Sequence, residues 1–160
     1  MTEDRLAALE ARLARIEDEL AITRLIGCYG PLVDAADADA VASLWAEEGT
    51  YDVEGWEMRS RADVHAMVLS PQHQGLVAAG CTHFLGPVVV TTEGDDAVAV
   101  CESVLVVHHQ DRFHVARAGA NRFELVRSGA GWEILHRTTR ALDGDVSARD
   151  LLAVTVGAGR

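Results

Sequence analysis

The sequence predicts an α+β fold in which N-terminal helices pack on a strongly curved, mainly antiparallel sheet that encloses a pocket. Two observations carry this. Most of the first 70 residues place apolar side chains at steps of three and four, while the region from residue 82 on is rich in Val, Thr and Phe between turn-forming clusters. Helices come first and a meander of strands follows, without the βα alternation of a parallel sheet. At 160 residues and 49% apolar, the chain fits one domain over 1–160 with a sizeable core.

Residues 4–27 carry Leu6, Leu9, Leu13, Ile16, Leu20, Ile22, Leu25 and Ile26, with Arg and Glu between them. This reads as one long helix or two joined near Glu19. Residues 1–20 form a helical N-terminal extension, polar on most sides, that projects or packs on a partner chain. Pro31 is expected to kink or restart the helix, and residues 32–46 give a second amphipathic run. Thr50 to Val53 reads as a short strand. Residues 59–69 form a helix that Ser60 can cap, with Asp63 three residues on. Residues 72–80 read as a loop. Strands are expected over 82–90, 97–109, 112–126 and 131–139, broken at Glu93-Gly94-Asp95, Gln110-Asp111 and residues 128–131. A polar loop from Asp143 leads into a weak apolar tail.

The formal charge of -11 opposes sequence-independent binding to nucleic acid or anionic lipid. No apolar run approaches the ~20 residues of a membrane span, and the start Met-Thr-Glu-Asp-Arg is not a secretory signal. Cys28, Cys81 and Cys101 are odd in number and set in apolar sequence, which reads as buried reduced thiols in a cytoplasmic protein. With neither a CxxC nor an HExxH pattern, no metal and no cofactor are expected.

Three residues make a plausible acid–base set. Asp34 ends the apolar segment Tyr-Gly-Pro-Leu-Val-Asp. His83 and His108 lie at opposite ends of a valine-rich stretch. A carboxylate holding one ring nitrogen of a histidine orients the other and raises its basicity. Strand alternation then sorts the pocket face. On 112–126, Phe113, Val115, Arg117, Gly119, Asn121, Phe123 and Leu125 share the face with the larger apolar groups, so Arg117 and Asn121 should face the concave side. His83 and His108 are expected on that side too.

These residues resemble the SnoaL-like branch of the NTF2-like superfamily, the cone-shaped α+β fold that includes scytalone dehydratase, bile-acid dehydratase and hexachlorocyclohexane dehydrochlorinase. The resemblance rests on element order and on Tyr29, Asp34, the segment from Asp37 to Trp45, His83-Phe-Leu-Gly, His108 and Ala120-Asn121. It implies that Asp34 pairs with His83 and that His108 assists. It also implies roles for Tyr29 as a pocket hydroxyl and for Asn121 and Arg140 as substrate contacts, with Tyr51 near a second tyrosine of that family; Arg117 is a candidate contact from its place on the concave face alone. Val33 and Gly119 stand where scytalone dehydratase has a pocket tyrosine and a serine, so substrate contacts differ. The implied function is a cofactor-independent lyase of the dehydratase type, acting on a mostly apolar, oxygenated small molecule. An isomerase, a polyketide-cyclase-like enzyme or a non-catalytic binder would use the same pocket. A homo-oligomer is expected, trimer favoured and dimer second.

Overall fold

The computed structural model describes residues 2–129 and 131–156; the end of the apolar tail and Ala130, in the break at residues 128–131, lie outside them. Helix α1 spans Glu3–Asp34 and α2 spans Ala38–Ala42. They are followed by β1 (Trp45–Val53), β2 (Trp56–Met58), α3 (Arg61–Leu69) and α4 (Pro71–Ala79). Strands β3 (Cys81–Leu85), β4 (Val89–Glu93), β5 (Asp96–His109), β6 (Arg112–Ser128) and β7 (Gly131–Ala141) come next, and α5 (Val146–Val156) closes the chain. The sheet runs β2-β1-β7-β6-β5-β3, with β4 also paired to β5. Only the β1–β7 pair is parallel.

The α+β architecture agrees with the sequence expectation; several boundaries do not. Helix α1 passes through Pro31 without restarting and ends at Asp34. The second helix shrinks to five residues, and Trp45 already begins a strand. Residues expected as a loop form α4, because Ser70 caps it by accepting from the His73 N–H and Pro71 occupies the first turn. The segment 82–90 divides at Gly86-Pro87-Val88 into β3 and β4, both paired with β5. The tail forms α5.

The core lies between the inner sheet face and α1, α2 and α3. Ile22, Ile26, Tyr29 and Val33 follow one another at steps of four, three and four, and all are buried. They meet Trp45, Val64, Val68, Phe123, Leu125 and Ile134. Each such side chain removed from water contributes roughly 1.5–3 kcal/mol. The first half of α1 differs: every residue from Thr2 to Glu17 is exposed. Among the described residues, no helix is long and apolar enough to cross a membrane.

Candidate active site

Asp34 and His83 come together because α1 crosses β3 at Gly30. A Cβ on Gly30 would lie 2.2 Å from the His83 carbonyl oxygen, so only glycine admits this approach. One helical turn later, Asp34 faces β3. Its Oδ1 lies 2.6 Å from His83 Nδ1, and its Oδ2 accepts the His83 backbone N–H at 2.8 Å. Both side chains are about one-fifth exposed. With Nδ1–H donated to the carboxylate, Nε2 carries the lone pair, and it bonds to no other protein group among the described residues.

His83 borders a cavity of about 160 Å³ shared with Tyr29, Tyr51, Arg117 and Arg137, and walled by Val53, Met58 and Leu85. Burial holds the His83 pKa below the ordinary 6.5, opposed by Asp34 and assisted by His73 and Arg137. The imidazole is therefore neutral near pH 7. Burial, with Tyr51 beside it, raises the Tyr29 phenol well above its usual 10. Tyr29 thus stays protonated and is a hydrogen-bond donor. His73 is buried, donates Nε2–H to the Val33 carbonyl at 3.0 Å, and its ring lies 5.9 Å from that of His83.

Arg137 was not legible as a site residue. Its guanidinium carbon lies 4.2 Å from the Tyr29 ring centre and 4.4 Å from that of Tyr51. Only 3% of the residue is exposed, and no carboxylate pairs with it among the described residues. Nη2 donates to Asn121 Oδ1 at 2.8 Å; Nε and Nη1 have no hydrogen-bond partner among the described residues. A buried cation without a counter-ion is costly, and the ring faces of Tyr29, Tyr51 and Phe123 offset part of that cost.

Two β-bulges explain which side chains reach this site. On β6, Leu105 pairs with Arg117 but Val106 pairs with Val115, which leaves Ala116 as an extra residue. Arg117 stays on the inner face, while Phe113 and Val115 turn outward and are 75% and 67% exposed. On β7, Leu125 pairs with Ile134 and Glu124 with His136, so Leu135 is the extra residue. That shift turns Arg137 and Thr139 inward and Arg140 away.

Three expected contacts therefore stand elsewhere. His83 pairs with Leu105, and Leu105 and Val107 share its face; Val106 and His108 take the other. His108 is thus on the outer face, its ring 5.1 Å from that of Phe113. Asn121 is fully buried behind the cavity, where Nδ2 donates to Ser103 Oγ at 2.9 Å and Oδ1 receives Arg137 and Thr139. It holds Arg137 rather than lining the pocket. Arg140 pairs with Asp52 at 2.5 Å outside the cavity. Arg117 lines the cavity while bonded to Glu54 at 3.0 Å. Tyr51 also lines it, with its hydroxyl 3.2 Å from Thr139 Oγ1.

Of the three cysteines, Cys28 is exposed, contrary to expectation, and Cys101 is buried, its thiol pushed up to about 11 by that burial. Cys81 Sγ lies 3.8 Å from Asp34 Oδ1. Asp34, Cys81 and His83 bring possible metal-ligand atoms within 4.8 Å of one another. Burial raises the Cys81 pKa, which Asp34 raises further, and both Asp34 oxygens are already bonded to His83. The donor set fits a metal poorly as it stands.

This arrangement, a curled sheet with helices packed on it and a histidine held by a carboxylate at the cavity, is of the cone-shaped α+β class. Residues 14–138 match the model of the SnoaL-like domain. The chain belongs to the SnoaL-like family. It is 43% identical to an NTF2-like protein with a cystatin-like fold from Novosphingobium aromaticivorans, over 94% of this chain and 99% of that one, with a TM-score of 0.91. A function-unknown protein from Mycobacterium tuberculosis shares 18% identity over 94% of this chain and 91% of that one, with a TM-score of 0.73. ActVI-ORFA from Streptomyces coelicolor shares 15% over 78% and 96%, with a TM-score of 0.66. These two likenesses are of fold alone. A comparison with curated proteins finds no match.

Proposed function

We propose that the pocket is the active site of a cofactor-independent lyase of the dehydratase type. The observation that carries this reading is the 2.6 Å bond between Asp34 Oδ1 and His83 Nδ1, in a histidine that borders the cavity and whose Nε2 is left as the free ring nitrogen. Nε2 takes the proton from a carbon next to a carbonyl. The electrons of the broken C–H bond move onto the carbonyl oxygen as an enolate. Arg137 and the protonated Tyr29 face that developing charge; preorganised donors of this kind contribute roughly 10²–10³-fold each. The enolate collapses to form the carbon–carbon double bond and expels a β-hydroxyl group. The His83 imidazolium returns its proton to that leaving oxygen, and water departs.

The cavity is smaller than the ~300 Å³ at which ligand pockets usually begin, so the substrate is about the size of one ring. Val53, Met58 and Leu85 favour an apolar body, while Arg137 and Tyr29 favour an oxygen at one end. The SnoaL-like family contains polyketide cyclases and isomerases, and the same enolate reprotonated at another carbon would give an isomerase. We also propose a cytoplasmic homo-oligomer, with the outward Phe84, Phe113 and Val115 as surface to be covered. The catalytic proposal is tested by offering the protein small cyclic β-hydroxy ketones and following conjugated enone absorbance. Enone formation supports the dehydratase; a double-bond shift without loss of water identifies an isomerase.

A further inference from the structure

The exposed half of α1 has a pattern that the pocket does not use. Leu6, Leu9, Leu13, Ile16 and Leu20 follow one another at steps of three, four, three and four, the a and d positions of a heptad repeat. Each is between 44% and 61% exposed; Ile16 borders a groove shared with Val90 and Thr92 of β4, and the stripe as a whole stays largely open to solvent. The helix is nonetheless fixed to the domain. Asp18, at an f position away from the stripe, receives both Arg127 Nη atoms at 2.8 and 2.7 Å and Trp132 Nε1 at 3.0 Å.

We infer that this stripe is an interface with the same segment of a second copy of this chain, the two helices running parallel and in register. The flanking charges select that occupant and that direction. The g positions are Arg5, Arg12 and Glu19; the e positions are Glu3, Glu10, Glu17 and Arg24. In a parallel pair each g residue faces the e residue five positions later on the other helix. Arg5 then meets the partner's Glu10, Arg12 meets the partner's Glu17, and Glu19 meets the partner's Arg24. All three contacts are between opposite charges. An antiparallel pair sets e against e and g against g, and there Glu10 faces a glutamate, so its contacts cannot all be between opposite charges. All of these side chains are exposed, and none forms an ion pair within its own chain among the described residues.

The test is cross-linking of the full chain in a Cys28→Ser background, which removes the exposed native thiol. Leu9→Cys, at d, is expected to give a covalent dimer under mild oxidation, while Ala11→Cys, at f, stays a single chain. Adding Glu10→Arg and Glu17→Arg to Leu9→Cys should abolish the dimer. Mixing that variant with one carrying Leu9→Cys, Arg5→Glu and Arg12→Glu should restore it as a mixed dimer, which shows that the reversed charges leave the helix intact. Failure of Leu9→Cys to cross-link, equal cross-linking at position 11, or a dimer indifferent to charge reversal would each overturn the inference.

Discussion

Asp34 grips His83 at two points, one carboxylate oxygen on the ring at Nδ1 and the other on the backbone N–H of the same residue. The double contact fixes the ring and the strand that carries it together. It also sets the tautomer: Nδ1 keeps its proton and Nε2 is left as the base.

Replacing Asp34 by Asn should therefore leave the fold in place while cutting kcat/KM by about 10³–10⁴, the scale seen when a histidine loses its orienting carboxylate. An amide can hold either ring nitrogen state, so the correct tautomer is no longer enforced. Steady-state kinetics alongside a thermal melt separates this outcome from simple unfolding.

The pH dependence has a definite sign. Desolvation lowers the His83 pKa below 6.5, so the active neutral form persists below that pH. The acid limb of kcat/KM should bend below pH 6.5. In Asp34→Asn the carboxylate that opposes the lowering is gone, so the limb should move further toward acid. Stability follows the same linkage: the unfolded chain takes up the His83 proton near 6.5 and the folded chain only at lower pH, so this group's contribution is lost as pH falls through that window. Rate profiles on the same substrate for both proteins check the shift.

Arg137 should show a conflict between stability and activity. Arg137→Met removes a buried cation that has no carboxylate partner, and Asn121 Oδ1 keeps its bond from Thr139. The melting temperature should hold or rise by a few degrees, since about 1 kcal/mol moves it by ~2–4 °C in a domain of this size. Turnover should fall by roughly 10²–10³. A large drop in melting temperature would make Arg137 a structural residue instead.

Gly30→Ala should damage both. Its Cβ would meet the His83 carbonyl at 2.2 Å, so α1 and β3 must part. Overpacking of this kind costs roughly 1–3 kcal/mol, and the same displacement stretches the Asp34–His83 bond. A denaturant melt together with a rate assay reads both effects. His108→Ala, on the outer sheet face, should leave the rate within about twofold of the parent, as surface changes away from a site usually do.

The fold class was legible because helical and strand periodicities occupy separate halves of the chain. Asp34 and His83 stand out because a helix end and a strand start are readable from local pattern, whereas Tyr29 stands out only through the resemblance to the SnoaL-like family. His108 and Arg140 stand elsewhere than the sequence suggests, and Arg137 is not marked by the sequence at all. His108 follows an unbroken alternation along β5, and its partner on β6 is Phe113, which the bulge at Ala116 puts on the face opposite to Arg117. On β7 the bulge at Leu135 exchanges the inward residue, bringing Arg137 in and turning Arg140 out. A single inserted residue leaves no compositional mark, so alternation alone runs out of phase past it. Helix α4 carried a readable Ser-Pro start, outweighed by its small residues.

The central claim is that His83, held by Asp34, removes a proton from carbon. The most direct measurement is exchange of the α-hydrogens of a small cyclic ketone for deuterium in D2O, which needs no leaving group. The wild-type protein should accelerate exchange over buffer, with the acceleration lost in His83→Ala and reduced by orders of magnitude in Asp34→Asn. Exchange that proceeds equally well in His83→Ala would contradict the account.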